Sequence, residues 1–182
     1  IASFLTYIQQ TRFNPWQTLF PASSSTFLFD SYSRTQIQKE MIHFQQAWEQ
    51  KSFKIALDYL TKILGLGIGL TPTGDDFITG LLASFSALQQ LPSNFQQLAV
   101  LAKERTNAVS YAEIHEAVNG RFSQLVQRVF LSIESGNTNE MAQAVSALEE
   151  VGSTSGSDIL CGIIFGLKLF CEENNHDNSN SN

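Results

Sequence analysis

The chain has 182 residues, 43% of them hydrophobic and 11% aromatic, enough for one ordinary domain with a buried core. Its net charge is −6, with only 11 Lys plus Arg. That excludes the clustered basic footprint of a nucleic-acid surface and equally a patch suited to anionic membrane.

Cys161 and Cys171 fall ten residues apart on one predicted helix. A helix would separate them by about 15 Å, beyond disulfide reach, so a reduced, cytoplasmic setting is expected. No secretory signal is visible. The longest apolar run, Ile159 to Cys171, is interrupted by Lys168 and is too short to span a bilayer. The chain begins at Ile1 rather than Met, as expected of a piece trimmed from a longer protein.

In residues 1–32, Phe4, Leu5 and Ile8 predict a short helix. Asn14-Pro15-Trp16 and Pro21-Ala22-Ser23-Ser24-Ser25 break it, and Phe27-Leu28-Phe29 reads as a strand remnant. From residue 33 to 173 helical periodicity dominates. Ser33 is an expected N-cap, with Ile37, Met41, Phe44 and Trp48 on one face. Ser52 caps a helix carrying Ala56, Leu57, Leu60 and Leu64. Thr73 begins the next, with Phe77, Leu81, Phe85 and Leu88 on one stripe. Ser93 with Gln96 and Ser110 with Glu113 have capping-box spacing, as does Asn137 with Glu140. Phe122, Leu125, Val126, Val129, Phe130 and Ile133 mark another helix, and the last runs from about Gly156 to Phe170. Residues 174–182 hold only Asn, Ser, His and Asp and are expected to be disordered. The expected fold is all-α, a single domain of about eight helices.

The run from Gly65 to Asp76 is the richest in chemistry. It holds Gly65, Gly67, Gly69 and Gly74, then adjacent carboxylates, Asp75 and Asp76. A fainter copy follows: Thr73-Gly74-Asp75-Asp76-Phe77-Ile78-Thr79-Gly80 aligns with Ser155-Gly156-Ser157-Asp158-Ile159-Leu160-Cys161-Gly162. Read structurally, Thr73 with Asp76 and Ser155 with Asp158 are two capping boxes with Asp in place of Glu. That reading leaves Gly65, Gly67, Gly69 and Asp75 unexplained. A Walker A loop is excluded, because Asp75 and Asp76 stand where Lys and Ser/Thr are required. A small polar ligand suits the run better: loop and helix-start amides donate to an anion, while Asp75 accepts from an NH₂ group. Gly80 and Gly162 each follow their Asp by one turn and Gly166 extends the stripe, which predicts two helices crossing closely enough to bring both loops to one site. His43 reads as structural, and His115 has no companion at metal-ligand spacing. Among the basic residues Arg105 is favoured for an anion, since Thr106, Asn107 and Ser110 follow it in a polar break.

Residues 65–80, Gly-Leu-Gly-Ile-Gly-Leu-Thr-Pro-Thr-Gly-Asp-Asp-Phe-Ile-Thr-Gly, closely resemble the signature of the AllH-like family. Gly152 to Gly162 is similar to its C-terminal motif, with Ser157 where an aromatic is common, and Arg105 to Phe122 is similar more loosely. Family members are usually longer, with a β-rich N-terminal region, so these residues are expected to be the helical part of a longer protein. The resemblance implies a subunit of oxamate carbamoyltransferase, which exchanges oxalurate and phosphate for oxamate and carbamoyl phosphate and works with other subunits. The catalytic residues it suggests are Asp75, Asp76 and Asp158. Gly67, Gly69, Thr71, Thr73, Gly74, Thr154, Ser155, Gly156, Arg105, Thr106 and Ser110 would bind a small carboxylate or carbamoyl phosphate. No cofactor is required on this reading. Two alternatives stand beside it: a non-catalytic subunit-interaction protein, and a Mg²⁺-dependent enzyme using Asp75, Asp76 and Asp158 as oxygen ligands.

Overall fold

A computed structural model describes residues 1–10 and 28–179. Those residues are all-α and form a single domain, with no strand among them. In chain order the helices are α1 (Ala2–Gln10), α2 (Leu28–Glu49), α3 (Phe53–Ile63), α4 (Thr73–Ala87), α5 (Gln97–Arg105), α6 (Ala108–Ala117), α7 (Gln124–Ser135), α8 (Thr138–Glu149) and α9 (Ser155–Ser179). A 3₁₀ turn, Ser93–Gln96, precedes α5.

Helices α4 and α9 form the axis of the molecule. Every residue of α4 from Thr73 to Phe85 is buried, so it is not the one-sided helix that the Phe77, Leu81, Phe85 stripe predicts. A helix buried all round needs neighbours on every side. On one side, α2, α3 and the 3₁₀ turn supply Phe44, Trp48, Leu60 and Phe95, and α5 and α6 supply Leu98 and Ile114, to a core shared with Phe77, Phe85 and Phe165. Trp48 and Phe85 stack there with centroids 4.2 Å apart. On the other side, α1, α7 and α8 supply Phe4, Ile8, Val129 and Leu148, packed on Ala83, Leu160 and Ile164.

The glycines set how closely the axial pair approaches. A β-carbon on Gly80 would run into the carbonyl oxygen of Ile159, and one on Gly162 into that of Phe77. One on Gly166 would lie 2.6 Å from Ser84 Cβ. Ser84 uses the proximity to donate from Oγ to the Ile163 carbonyl at 2.8 Å. The expected crossing is therefore present, and it places the N-termini of α4 and α9 side by side.

Several expected caps are corrected. Helix α4 takes Pro72, not Thr73, as its N-cap residue, with no side-chain cap bond. The Pro72 carbonyl receives the amides of Asp75 and Asp76, which starts the helix one residue early and puts Thr73 inside it. Ser155 is likewise the first residue of α9, with the Asp158 amide on the Thr154 carbonyl. Asn107 caps α6 through the amides of Val109 and Ser110, so Ser110 is a buried residue within the helix. Ser33 is internal to α2, which already includes Leu28 and Phe29 where a strand remnant was expected. Ser52 occupies its N-cap position without a side-chain bond, and Ser93 begins the 3₁₀ turn uncapped. Asn137 caps α8 as expected, accepting from the amides of Asn139 and Glu140. The expected breaks at Asn14-Pro15-Trp16 and Pro21 lie outside the described residues. The backbone of α9 continues through Ser179, into the segment read as a disordered tail.

Candidate functional site

Two loops meet above the start of the axial pair. The first, residues 64–72, joins α3 to α4; the second, residues 150–154, joins α8 to α9. Gly67 has φ +136° and backs onto the Thr73 amide, while Gly69 has φ +98° beside open space; both conformations favour glycine. Thr71 and Ser155 join the loops through a 2.6 Å hydrogen bond between their hydroxyls.

A cavity of about 400 Å³ lies between the loops and α6. Of the residues expected to form a site, Gly69, Thr71, Asp76, Thr154 and Ser155 line it. Val109 and Glu113 from α6, Ile159 from α9, and Ile68, Leu70, Val151, Gly152 and Ser153 from the loops complete the lining. Nothing in the chain's patterning singles out Glu113 as a site residue, since its spacing from Ser110 reads as a cap. A second cavity, about 350 Å³, adjoins the first and shares Glu113 and Ile159 with it. Thr79, one turn beyond Asp76, lines this second space with Phe122 and Val126.

The two adjacent carboxylates have different roles. Asp75 is 2% exposed and clamps the first loop to α5. Its Oδ1 accepts from the Gly65 amide at 2.7 Å, and its Oδ2 accepts from the Thr106 hydroxyl. Burial still raises its pKa, against the pull of those donors and of Ser110. Asp76 is 1% exposed, and neither of its carboxyl oxygens has a hydrogen-bond partner among the described residues. The nearby hydroxyls of Ser155 and Thr71 bond each other, a pairing that uses one of their two O–H protons. Burial pushes the Asp76 pKa up to about 8, those hydroxyls pull against the rise, and the charges of Asp158 and Glu113 add to it. Asp76 is therefore mostly a neutral acid at pH 7, able to donate through one oxygen and accept through the other.

The other expected residues lie behind this surface. Thr73 is buried, and β-carbons on Gly74 and Gly156 would strike the carbonyl oxygens of Ile63 and Leu148. Gly67 packs on the start of α4. Asp158 is fully buried and bears on Asp76 through its charge. Arg105 donates from Nη1 to the Thr61 carbonyl at 3.2 Å, Thr106 serves Asp75, and Ser110 is fully buried. Among the described residues, no three His, Cys, Asp or Glu side chains converge as a metal's donor set. No helix there is long and apolar enough to cross a membrane.

The family profile described as oxamate carbamoyltransferase subunit AllH matches residues 63–167, more than half of the chain. The chain belongs to that AllH family. The match opens on the last residue of α3 and closes within α9, so both loops, all of α4, the first half of α9 and the whole cavity lie inside it. The AllH family carries the name of a carbamoyltransferase subunit, and that name implies companion subunits. No solved structure matches the chain.

Proposed function

We propose that the cavity between the two loops holds the carbamoyl end of a small carboxylate, oxalurate or oxamate, within an oxamate carbamoyltransferase. The observation that carries this is Asp76, buried at the cavity with both oxygens unpartnered among the described residues. A neutral carboxylic acid and a –CO–NH₂ group are complementary. The acid O–H donates to the amide carbonyl while the amide N–H donates to the acid carbonyl, forming two parallel hydrogen bonds. A buried acid left without such a partner is costly, so a ligand that satisfies it gains correspondingly.

The same group suits the chemistry. In oxalurate phosphorolysis a phosphate oxygen attacks the terminal carbamoyl carbon and the bond from that carbon to the bridging nitrogen breaks. The electron pair stays on that nitrogen, which needs a proton to leave as oxamate. Asp76 supplies it and recovers one from the attacking hydrogen phosphate, so protons balance over the turnover. An acid with a pKa near the working pH is well placed for this exchange. Asp75 and Asp158 then act behind Asp76, one fixing the loop and the other keeping Asp76 protonated.

The test is carbamoyl phosphate formation from oxalurate and phosphate by this chain assembled with companion subunits. Asp76→Ala should lower the rate by about 100-fold or more at unchanged assembly. A rate equal to that of the native chain would refute the reading.

A further inference from the structure

The cavity is built for an anionic ligand only if something else supplies positive charge. Its lining includes Asp76 and Glu113 but no Lys, Arg or His among the described residues. The arginines nearby are engaged elsewhere. Arg105 binds the Thr61 carbonyl, and Arg121, in the adjoining cavity, holds Glu116 through both Nε and Nη2. Oxalurate, oxamate and phosphate all carry negative charge, and this lining offers them no cation while the Glu113 carboxylate repels them.

The opening has a second property. Ile68, Leu70 and Val109 line the cavity and are 56%, 78% and 44% exposed. The other exposed large hydrophobic side chains among the described residues are spread over four helices, with Tyr32 and Ile42 on α2, Ile55 on α3, Val100 on α5 and Leu131 on α7. Scattered exposed residues need no explanation, but a collar around one opening does. Leu70 and Ile68 belong to a loop that Asp75 and the Thr71–Ser155 bond hold in place.

We infer that this collar is the docking surface for a companion carbamoyltransferase subunit. That subunit covers the cavity and sets a cationic side chain beside Glu113, completing the anion site while Asp76 stays a neutral acid. The inference rests on the proposed function for the identity of the ligand, but its test does not depend on turnover.

The experiment measures the affinity of this chain for its companion oxamate carbamoyltransferase subunits by sedimentation. Leu70→Lys and Ile68→Lys remove apolar contact and place like charge against the partner's cation. Each should weaken assembly by about tenfold or more. Ile55→Lys and Leu131→Lys, equally exposed but elsewhere, should change it less than about twofold. Raising salt from about 50 mM to about 500 mM should weaken assembly of the native chain. Thermal melts matching the native chain exclude misfolding as the cause. Collar variants that assemble normally, salt-independent assembly, or a native chain that instead pairs with itself through the collar would each overturn the inference. A native complex that assembles as described yet forms no carbamoyl phosphate would refute the proposed function and leave the docking surface intact.

Discussion

Thr71 and Ser155, 84 positions apart, share a 2.6 Å hydrogen bond between their side-chain hydroxyls. That bond ties the loop before α4 to the loop before α9, and the cavity lies beside it. It also occupies one of the two hydroxyl protons nearest Asp76, whose own oxygens have no hydrogen-bond partner among the described residues.

The raised pKa of Asp76 predicts a particular pH dependence of stability. Its ordinary value is near 3.9, and its folded value is about 8. Between those values the folded state holds a proton that the unfolded state has lost, so stability falls as pH rises from about 4 to about 8 and levels off above. Burial raises Asp75 in the same direction. Asp76→Asn, which cannot ionise, should flatten this decline by a few kcal/mol. Urea melts across that pH range check it, and an unchanged slope would count against a buried neutral acid.

Activity should report the same proton. Carbamoyl phosphate formation by the assembled native enzyme should fall above a midpoint near 8, where Asp76 ionises. Asp76→Asn keeps a donor and an acceptor but cannot release a proton. It should retain oxamate binding within about fivefold while losing about 100-fold in kcat. Equal losses in both would assign Asp76 to binding alone.

Asp75 should behave as a structural clamp. Asp75→Ala leaves the Gly65 amide and the Thr106 hydroxyl without their acceptor, at a cost of about 1–3 kcal/mol. Melting should drop by roughly 3–10 °C for a chain of this size. Asp75→Asn retains an acceptor for Gly65 and should fall less. Native-like melting of Asp75→Ala with lost ligand binding would instead place Asp75 at the ligand.

The axial crossing should tolerate no side chain. Gly80→Ala and Gly162→Ala each force a methyl group against a facing backbone carbonyl, with an expected cost of about 3 kcal/mol or more. Gly69→Ala meets no atom within 4 Å and should cost only its backbone strain, about 1 kcal/mol. Chemical denaturation of the three variants checks the order.

How much of this was legible in the sequence varies by residue. The crossing was readable because Gly80, Gly162 and Gly166 sit at helical spacing, where glycine is costly unless space demands it. The caps were not, because a hydroxyl at a helix start has several acceptors within reach. Thr71 and Ser155 bond each other, and Asn107 claims the α6 start ahead of Ser110. The division of labour between Asp75 and Asp76 was hidden for a related reason. Successive helical residues point about 100° apart, so adjacent carboxylates meet different neighbours, and only the packing of α4 decides that Asp76 faces the cavity while Asp75 meets Gly65 and Thr106. Glu113 and the Ile68, Leu70, Val109 collar come from segments brought together only by tertiary packing.

The central claim is that Asp76, between the two loops, receives the carbamoyl group. Its most direct test is calorimetric titration of oxamate into the assembled complex carrying either native Asp76 or Asp76→Ala. The account predicts binding by the native complex and an affinity at least about tenfold weaker in the variant, a loss of about 1.4 kcal/mol. Equal affinity in the two complexes would contradict it.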